Sequence, residues 1–183
     1  EPDVLNNQIN PLIAIGHLKE ALNSAERLHA LDPAVQGFNM NRALSMQYNG
    51  LNRPSIPIFE AIPPDFAGGF NRNVGLARAY AAEGRYGEAA DTLSKMRTDL
   101  ISPESVETAV RLLRSAPAKA AAPESLPTIE STGLSFVYAY AGAQERILDR
   151  LETLRDRQLI GPDYMSSIWL PLYASLRKTP RFK

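Results

Sequence analysis

The side chains able to do chemistry are few, and their spacing suits none of the common reaction centres. His17 and His29 are the two histidines, twelve positions apart in one helical segment. Two ligands to one metal on a helix sit three or four positions apart, which puts both on one face. These histidines therefore read as solvated or cap residues, and no metal is expected. Cysteine is absent, which removes disulfides, thiolate catalysis and cysteine metal centres. Serine is frequent but never framed as G-x-S-x-G. Gly68-Gly69 lacks a following Lys-Ser/Thr and reads as a turn rather than a phosphate cradle. Glu145 and Asp149 share a helix face at i,i+4, and Glu88 lies beside alanines. Nothing near them buries a carboxylate enough to raise its pKa, so solvation of a helix is the reading. The expectation is a chain that is not an enzyme and takes no cofactor.

Asparagine is the informative residue. All ten precede residue 74: Asn6, Asn7, Asn10, Asn23, Asn39, Asn41, Asn49, Asn52, Asn71 and Asn73. Asparagine forms helices poorly, so several of them in helices lower stability. Its amide both donates and accepts, which matches the backbone of an extended peptide. The competing reading is that they cap helices or sit in turns, as Asn49 and Asn52 are expected to. Charged surfaces are weaker candidates. Arg72, Arg78 and Arg85 flank one segment, and Arg177, Lys178, Arg181 and Lys183 make a basic end. Twenty basic residues balance twenty acidic ones, so neither a general nucleic-acid binder nor a protein of anionic membranes is indicated. No run of eighteen apolar residues exists to span a bilayer. The chain opens at Glu1 without a basic-then-apolar leader, and a cytoplasmic location is the default expectation.

The elements that position these residues follow a period. Gly16, Gly50 and Gly84 are spaced by 34 and 34, each where one helix should end and the next begin. Two helices of about twelve residues joined by a tight turn cannot bury their apolar stripes alone, so such units stack. Ala21, Ala77 and Ala89 allow close approach, and Tyr80, Tyr86 and Leu93 supply bulk. Asp32-Pro33 ends the first unit. In the third unit Leu76, Ala77, Tyr80, Gly84, Tyr86, Ala89 and Leu93 fall on a shared pattern. On these residues the chain resembles the tetratricopeptide repeat family. The first unit keeps Gly16, Ala21 and Pro33; the second keeps Gly50 and Phe59, with Ser55 for the usual alanine. Pro57 predicts a shortened or bent helix there.

The resemblance implies an all-α right-handed superhelix of helical hairpins, about ten helices, in a single domain over 1–183. Residues 1–101 form three regular units. Ser102, Pro103 and Glu104 open an extra helix, with Val106, Val110, Leu112 and Leu113 on its apolar side. A proline- and alanine-rich break to residue 132 is expected to be a loop and the most mobile part. Residues 133–183 hold an irregular fourth hairpin around Gly142 and a capping helix using Trp169, Leu172, Tyr173 and Leu176. The last residues, Arg177-Lys178-Thr179-Pro180-Arg181-Phe182, resemble the close of repeat regions in some bacterial class III nucleotide cyclases and related winged-helix regulators. Thr179 stands where that pattern has aspartate.

In the repeat family the first helix of each pair lines a concave groove. That places Asn6, Asn10, Asn41, Gln47, Tyr48, Asn71 and Arg78 in it. Asn10 and Asn41 resemble the family's C-terminal-carboxylate clamp, but the clamp's basic positions hold Asn6, Asn71 and Gly75. The expected function is protein–protein interaction, with a peptide or partner helix on the concave face, in a piece of a larger bacterial signalling protein; a homo-oligomer is compatible. The alternative is a sensory or dimerising arm of a nucleotide cyclase or winged-helix regulator.

Overall fold

The computed structural model describes residues 1–96, 101–159, 161 and 166–182. Helices and turns make up these residues, and no strand occurs among them. Six helices form three hairpins: α1 (Pro2–Ala14) with α2 (Leu18–Leu31), α3 (Gln36–Tyr48) with α4 (Asn52–Ala61), and α5 (Gly69–Ala82) with α6 (Tyr86–Ser94). Then come α7 (Pro103–Ser115), a short α8 (Val137–Tyr140) and α9 (Glu145–Asp156). Each helix packs on the next through α7, and α1 touches α3 as α3 touches α5. The first helices of successive hairpins therefore lie side by side.

The hairpin corners share one backbone solution. After α1, Gly16 turns left-handed at φ 82°; its N–H donates to Ile13 O at 3.0 Å, and His17 N–H donates to Leu12 O at 2.8 Å. This pair of bonds satisfies carbonyls that a helix end otherwise leaves open, and it needs a residue at positive φ. Gly50 (φ 78°) and Gly84 (φ 76°) repeat both bonds, to Gln47 and Met46 and to Ala81 and Tyr80. Gly142 (φ 75°) makes the fourth corner, between α8 and α9. The 34-residue spacing in the sequence is thus the spacing of equivalent corners in space.

Apolar residues at helical spacing turn each helix inward. Leu5, Ile9 and Ile13 on α1 meet Ala21, Ala25 and Leu28 on α2 in a small core of their own. A larger core runs from Met40 on α3 to Leu176. Helix α5 lies at its centre, and every residue from Val74 to Ala81 is buried. Gly75, Ala77, Ala79 and Ala81 keep that helix thin enough to be covered on several sides. Helix α4 has ten residues and contains Pro57, as the sequence leads one to expect. At α7 the Ser102 hydroxyl accepts the Ser105 N–H, with Pro103 in the first turn.

The second half departs from the sequence-based expectation in two places. The first helix of the fourth unit shrinks to the four residues of α8, preceded by a 3-10 turn at Thr132–Leu134. The closing stretch is not one continuous helix among the described residues. It is two 3-10 turns, Pro171–Tyr173 and Leu176–Lys178. Its later part lies against α9, where Arg181 pairs with Glu145, Asp149 and Glu152, and its earlier part reaches the first hairpins. Trp169 Nε1 donates to Ala14 O at 3.1 Å, and Pro171 lies over the Gly50 corner. The Trp169–Pro171 segment thus lies over the first two hairpin corners.

Candidate ligand groove

Between the first helices and this returning segment lies a cleft of about 280 Å³. Its walls come from α1 (Ile9, Asn10, Ile13), α3 (Met40, Asn41, Leu44, Tyr48) and α5 (Phe70, Asn71, Val74, Arg78). Thr132, Gly133 and Phe136 close one side, and Ser166, Ser167, Leu170 and Tyr173 another. Of the seven residues expected in a groove, the structure brings Asn10, Asn41, Tyr48, Asn71 and Arg78 together here. Asn6 is exposed outside the lining, and its amide oxygen accepts from Asn41 Nδ2 at 2.8 Å. Gln47 is the correction. It is fully buried behind the wall, where Nε2 donates to Gly75 O at 2.6 Å and Oε1 accepts from Arg78.

Arg78 is the most unusual group of the site. It is 8% exposed, and its Nε and Nη2 both donate to Gln47 Oε1. Its guanidinium carbon sits 5.9 Å from the centre of the Tyr48 ring. No described carboxylate pairs with it. Burial pulls its pKa below the usual arginine value, and the neighbouring Tyr48, Tyr173 and Tyr140 oppose that only in part. Burial also pushes the Tyr173 hydroxyl upward and that of Tyr140 to about 12. Those phenols stay neutral and supply no counter-charge.

The other expected surfaces resolve into structural contacts. Arg72 Nε donates to the Phe59 and Ile62 carbonyls and closes the end of α4. Arg85 pairs with Glu88 and lies 4.3 Å from the Tyr80 ring centre. With Arg78 buried, these three do not form a shared basic patch. Asn49 caps α3 by donating to Ser45 O and Leu18 O, both at 2.9 Å. His17 pairs with Glu20, and His29 with Asn39. Arg177 folds back to donate to the Ile168 and Leu170 carbonyls. The 116–132 stretch does not fill the cleft as a unit. Ala120 N–H donates to Ala141 O at 2.9 Å, and Lys119 Nζ to Tyr140 O at 3.1 Å, so its first part rests on the α8–α9 corner. Its later part is tied down by Tyr138, whose hydroxyl accepts Ile129 N–H at 2.8 Å and donates to Pro127 O. Lys183, expected in a basic end, lies outside the described residues.

Arg181 binds Glu145, Asp149 and Glu152 of α9 at 3.0, 2.7 and 2.7 Å. The carboxylates considered for acid–base chemistry thus hold the chain's end against α9. Arg181 keeps the Glu152 carboxyl below its ordinary value. A depressed folded pKa gives stability that is present above the unfolded value of about 4.3 and is lost as pH falls through the folded one. Arg181→Gln should therefore lower the neutral plateau, by a small amount because the pair is exposed, and converge with wild type as pH falls, which makes the acid limb shallower. Urea melts between pH 2 and 7 measure it; an acid limb as steep as wild type would show the clasp contributes nothing.

Among the described residues no cluster of three or more acidic or histidine side chains could hold a metal, and no helix is long and apolar enough to cross a membrane. No family model, curated protein or solved structure matches the chain.

Proposed function

We propose that the chain is a protein–protein interaction module of the tetratricopeptide repeat type, holding a peptide or partner helix on the side formed by α1, α3 and α5. The observation that carries this is the row of Asn10, Asn41 and Asn71, one from each first helix, along a single cleft. Their amides offer both donors and acceptors to a peptide backbone. Met40, Leu44 and Val74 sit between them as apolar contacts. Equivalent glycine corners and a 34-residue period support the repeat assignment.

Asn10 and Asn71 are exposed, and Asn41 is half-buried with its amide donating to Asn6 Oδ1. Their joint replacement by alanine should leave folding intact. Partner capture by the Asn10→Ala/Asn41→Ala/Asn71→Ala variant should fall at least tenfold against wild type, a loss of about 1.4 kcal/mol. Equal recovery of every captured protein would clear this face of a role.

A further inference from the structure

Apart from the cleft, a pocket of about 230 Å³ lies where α9 meets the 126–130 segment. Arg146 and Arg150 stand one helical turn apart on α9 and both line it, with Thr128, Tyr138 and Asp149 beside them. Each guanidinium carries five N–H donors. Few of these are used among the described residues. Arg146 donates to Leu126 O at 2.8 Å, to Thr128 Oγ1 at 3.1 Å and, at the limit of a bond, to Asp149 Oδ2 at 3.5 Å. Arg150 donates to Glu130 O at 3.2 Å. The Nε–H groups of both arginines are buried, and neither has an acceptor among the described residues. The Tyr138 hydroxyl does not answer them. It already accepts from Ile129 N–H and donates to Pro127 O, and burial pushes its pKa up, so it stays neutral. Asp149 is the one acidic residue of the lining, and its other oxygen is held by Arg181 at 2.7 Å. Buried donors without acceptors cost stability, and an anion that supplies the acceptors recovers it.

We infer that this pocket binds a phosphoryl group, its oxygens shared between the Arg146 and Arg150 guanidinium groups and the Thr128 hydroxyl. Two arginines favour phosphate over carboxylate. The two oxygens of a carboxylate fill one guanidinium fork, whereas a phosphate carries oxygens for both. The volume admits a phosphoryl group and little more, below the roughly 300 Å³ at which sites for larger ligands begin. The group is free phosphate or the end of a small monoester whose body stays outside. The pocket shares no lining residue with the α1–α3–α5 cleft, so it can fail while partner capture survives.

Inorganic phosphate and methyl phosphate are the probes, with acetate as the carboxylate control and chloride holding ionic strength constant. Binding to the whole chain is followed by melting temperature and by chemical shifts of uniformly 15N-labelled protein, in which arginine Nε–H groups give their own signals. Phosphate should raise the melting temperature saturably, shift the Arg146 and Arg150 Nε–H signals, and bind about tenfold or more tightly than acetate. Methyl phosphate binding at least as tightly as inorganic phosphate identifies an ester; weaker binding identifies the free ion. Arg150→Gln should lose about tenfold or more in affinity. Arg146 also ties down the Leu126 carbonyl, so the exposed Thr128 supplies the second test. Thr128→Asp puts a carboxylate beside Arg146 and should abolish binding, whereas Thr128→Asn should retain it. Arg85→Gln, at an exposed pair on another helix, should bind as wild type does. Absence of saturable binding in wild type, acetate binding as tightly as phosphate, or undiminished binding in Arg150→Gln or Thr128→Asp overturns the site.

Discussion

Replacing Gly75 by alanine should lower folding stability by about 2–3 kcal/mol, even though alanine is the better helix former by about 1 kcal/mol. A β-carbon on Gly75 would lie 2.5 Å from Cζ of Phe59 and 2.7 Å from its Cε1. Phe59 is fully buried in the main core, so its ring cannot swing aside without displacing other core side chains. Gly75 O also accepts from Gln47, which fixes α3 against the same turn of α5. The clash must then be relieved by moving α4 away from α5. Urea melts should show a lower midpoint at unchanged slope, the mark of lost stability without a changed unfolded state. Two controls make the cause visible. Gly37→Ala, where a β-carbon meets nothing within 4 Å, should be neutral or stabilising by up to about 1 kcal/mol. Adding Phe59→Leu to Gly75→Ala should cost at least about 1 kcal/mol less than the two changes summed. Strict additivity would mean the Gly75–Phe59 contact is not what sets the separation of α4 and α5.

Gly75 and Gly84 show what a sequence discloses and what it hides. The requirement at Gly84 is local: a helix must stop and reverse, and glycine takes the left-handed corner at little cost. A repeated local need leaves a repeated letter, so the corners at 16, 50 and 84 are legible from spacing alone, whereas Gly142, 58 positions after Gly84, falls off the period. The requirement at Gly75 is imposed by a ring sixteen positions earlier, and a glycine inside a helix looks like a weakness until the neighbour is known. Asn10, Asn41 and Asn71 share the cleft without being equivalent in the period: they lie 6, 9 and 13 positions before Gly16, Gly50 and Gly84, about one helical turn further back in each unit. Gln47, 31 positions before Arg78, lies behind the cleft wall and bonds to that arginine there. A signal for that pair exists: each is a polar residue inside a run of buried ones. Buried polar groups seek partners, and these two find each other across the α3–α5 contact.

The reach of Trp169 to the first hairpin left no comparable sign. Trp169 reaches Ala14 across 155 positions, and no local periodicity encodes a contact of that span. The aromatic-rich end, read from the sequence as a cap, makes two contacts: Trp169 reaches the first corner, and Ser175 and Arg181 meet α9 and the residue before it. The shortened α8 was similarly hidden. Its segment carries the apolar residues of a full helix, and Leu134, Phe136, Val137 and Tyr138 are all buried, but by several neighbours rather than along one helical stripe.

Gly16→Ala should cost about 2–3 kcal/mol and Gly84→Ala about 1 kcal/mol, although both glycines sit at the same corner conformation. The shared part is the penalty of a β-carbon at positive φ. The difference is Trp169. A β-carbon on Gly16 would come within 3.1 Å of the indole, whereas one on Gly84 meets nothing within 4 Å. The indole cannot simply retreat, because its Nε1 donates to Ala14 O and the Arg177 guanidinium lies 5.7 Å from the ring centre. Displacing it therefore loosens the segment that carries Leu170 and Tyr173 into the cleft. Trp169 is the single tryptophan of the chain, so its fluorescence reports this event directly. Emission should shift to longer wavelength in Gly16→Ala and stay at the wild-type position in Gly84→Ala. Trp169→Phe should remove most of the difference between the two glycine variants, since the smaller ring leaves room for the β-carbon. Equal costs at the two corners, with tryptophan emission unchanged in both, would place the chain's end away from the first hairpin and take one wall from the cleft.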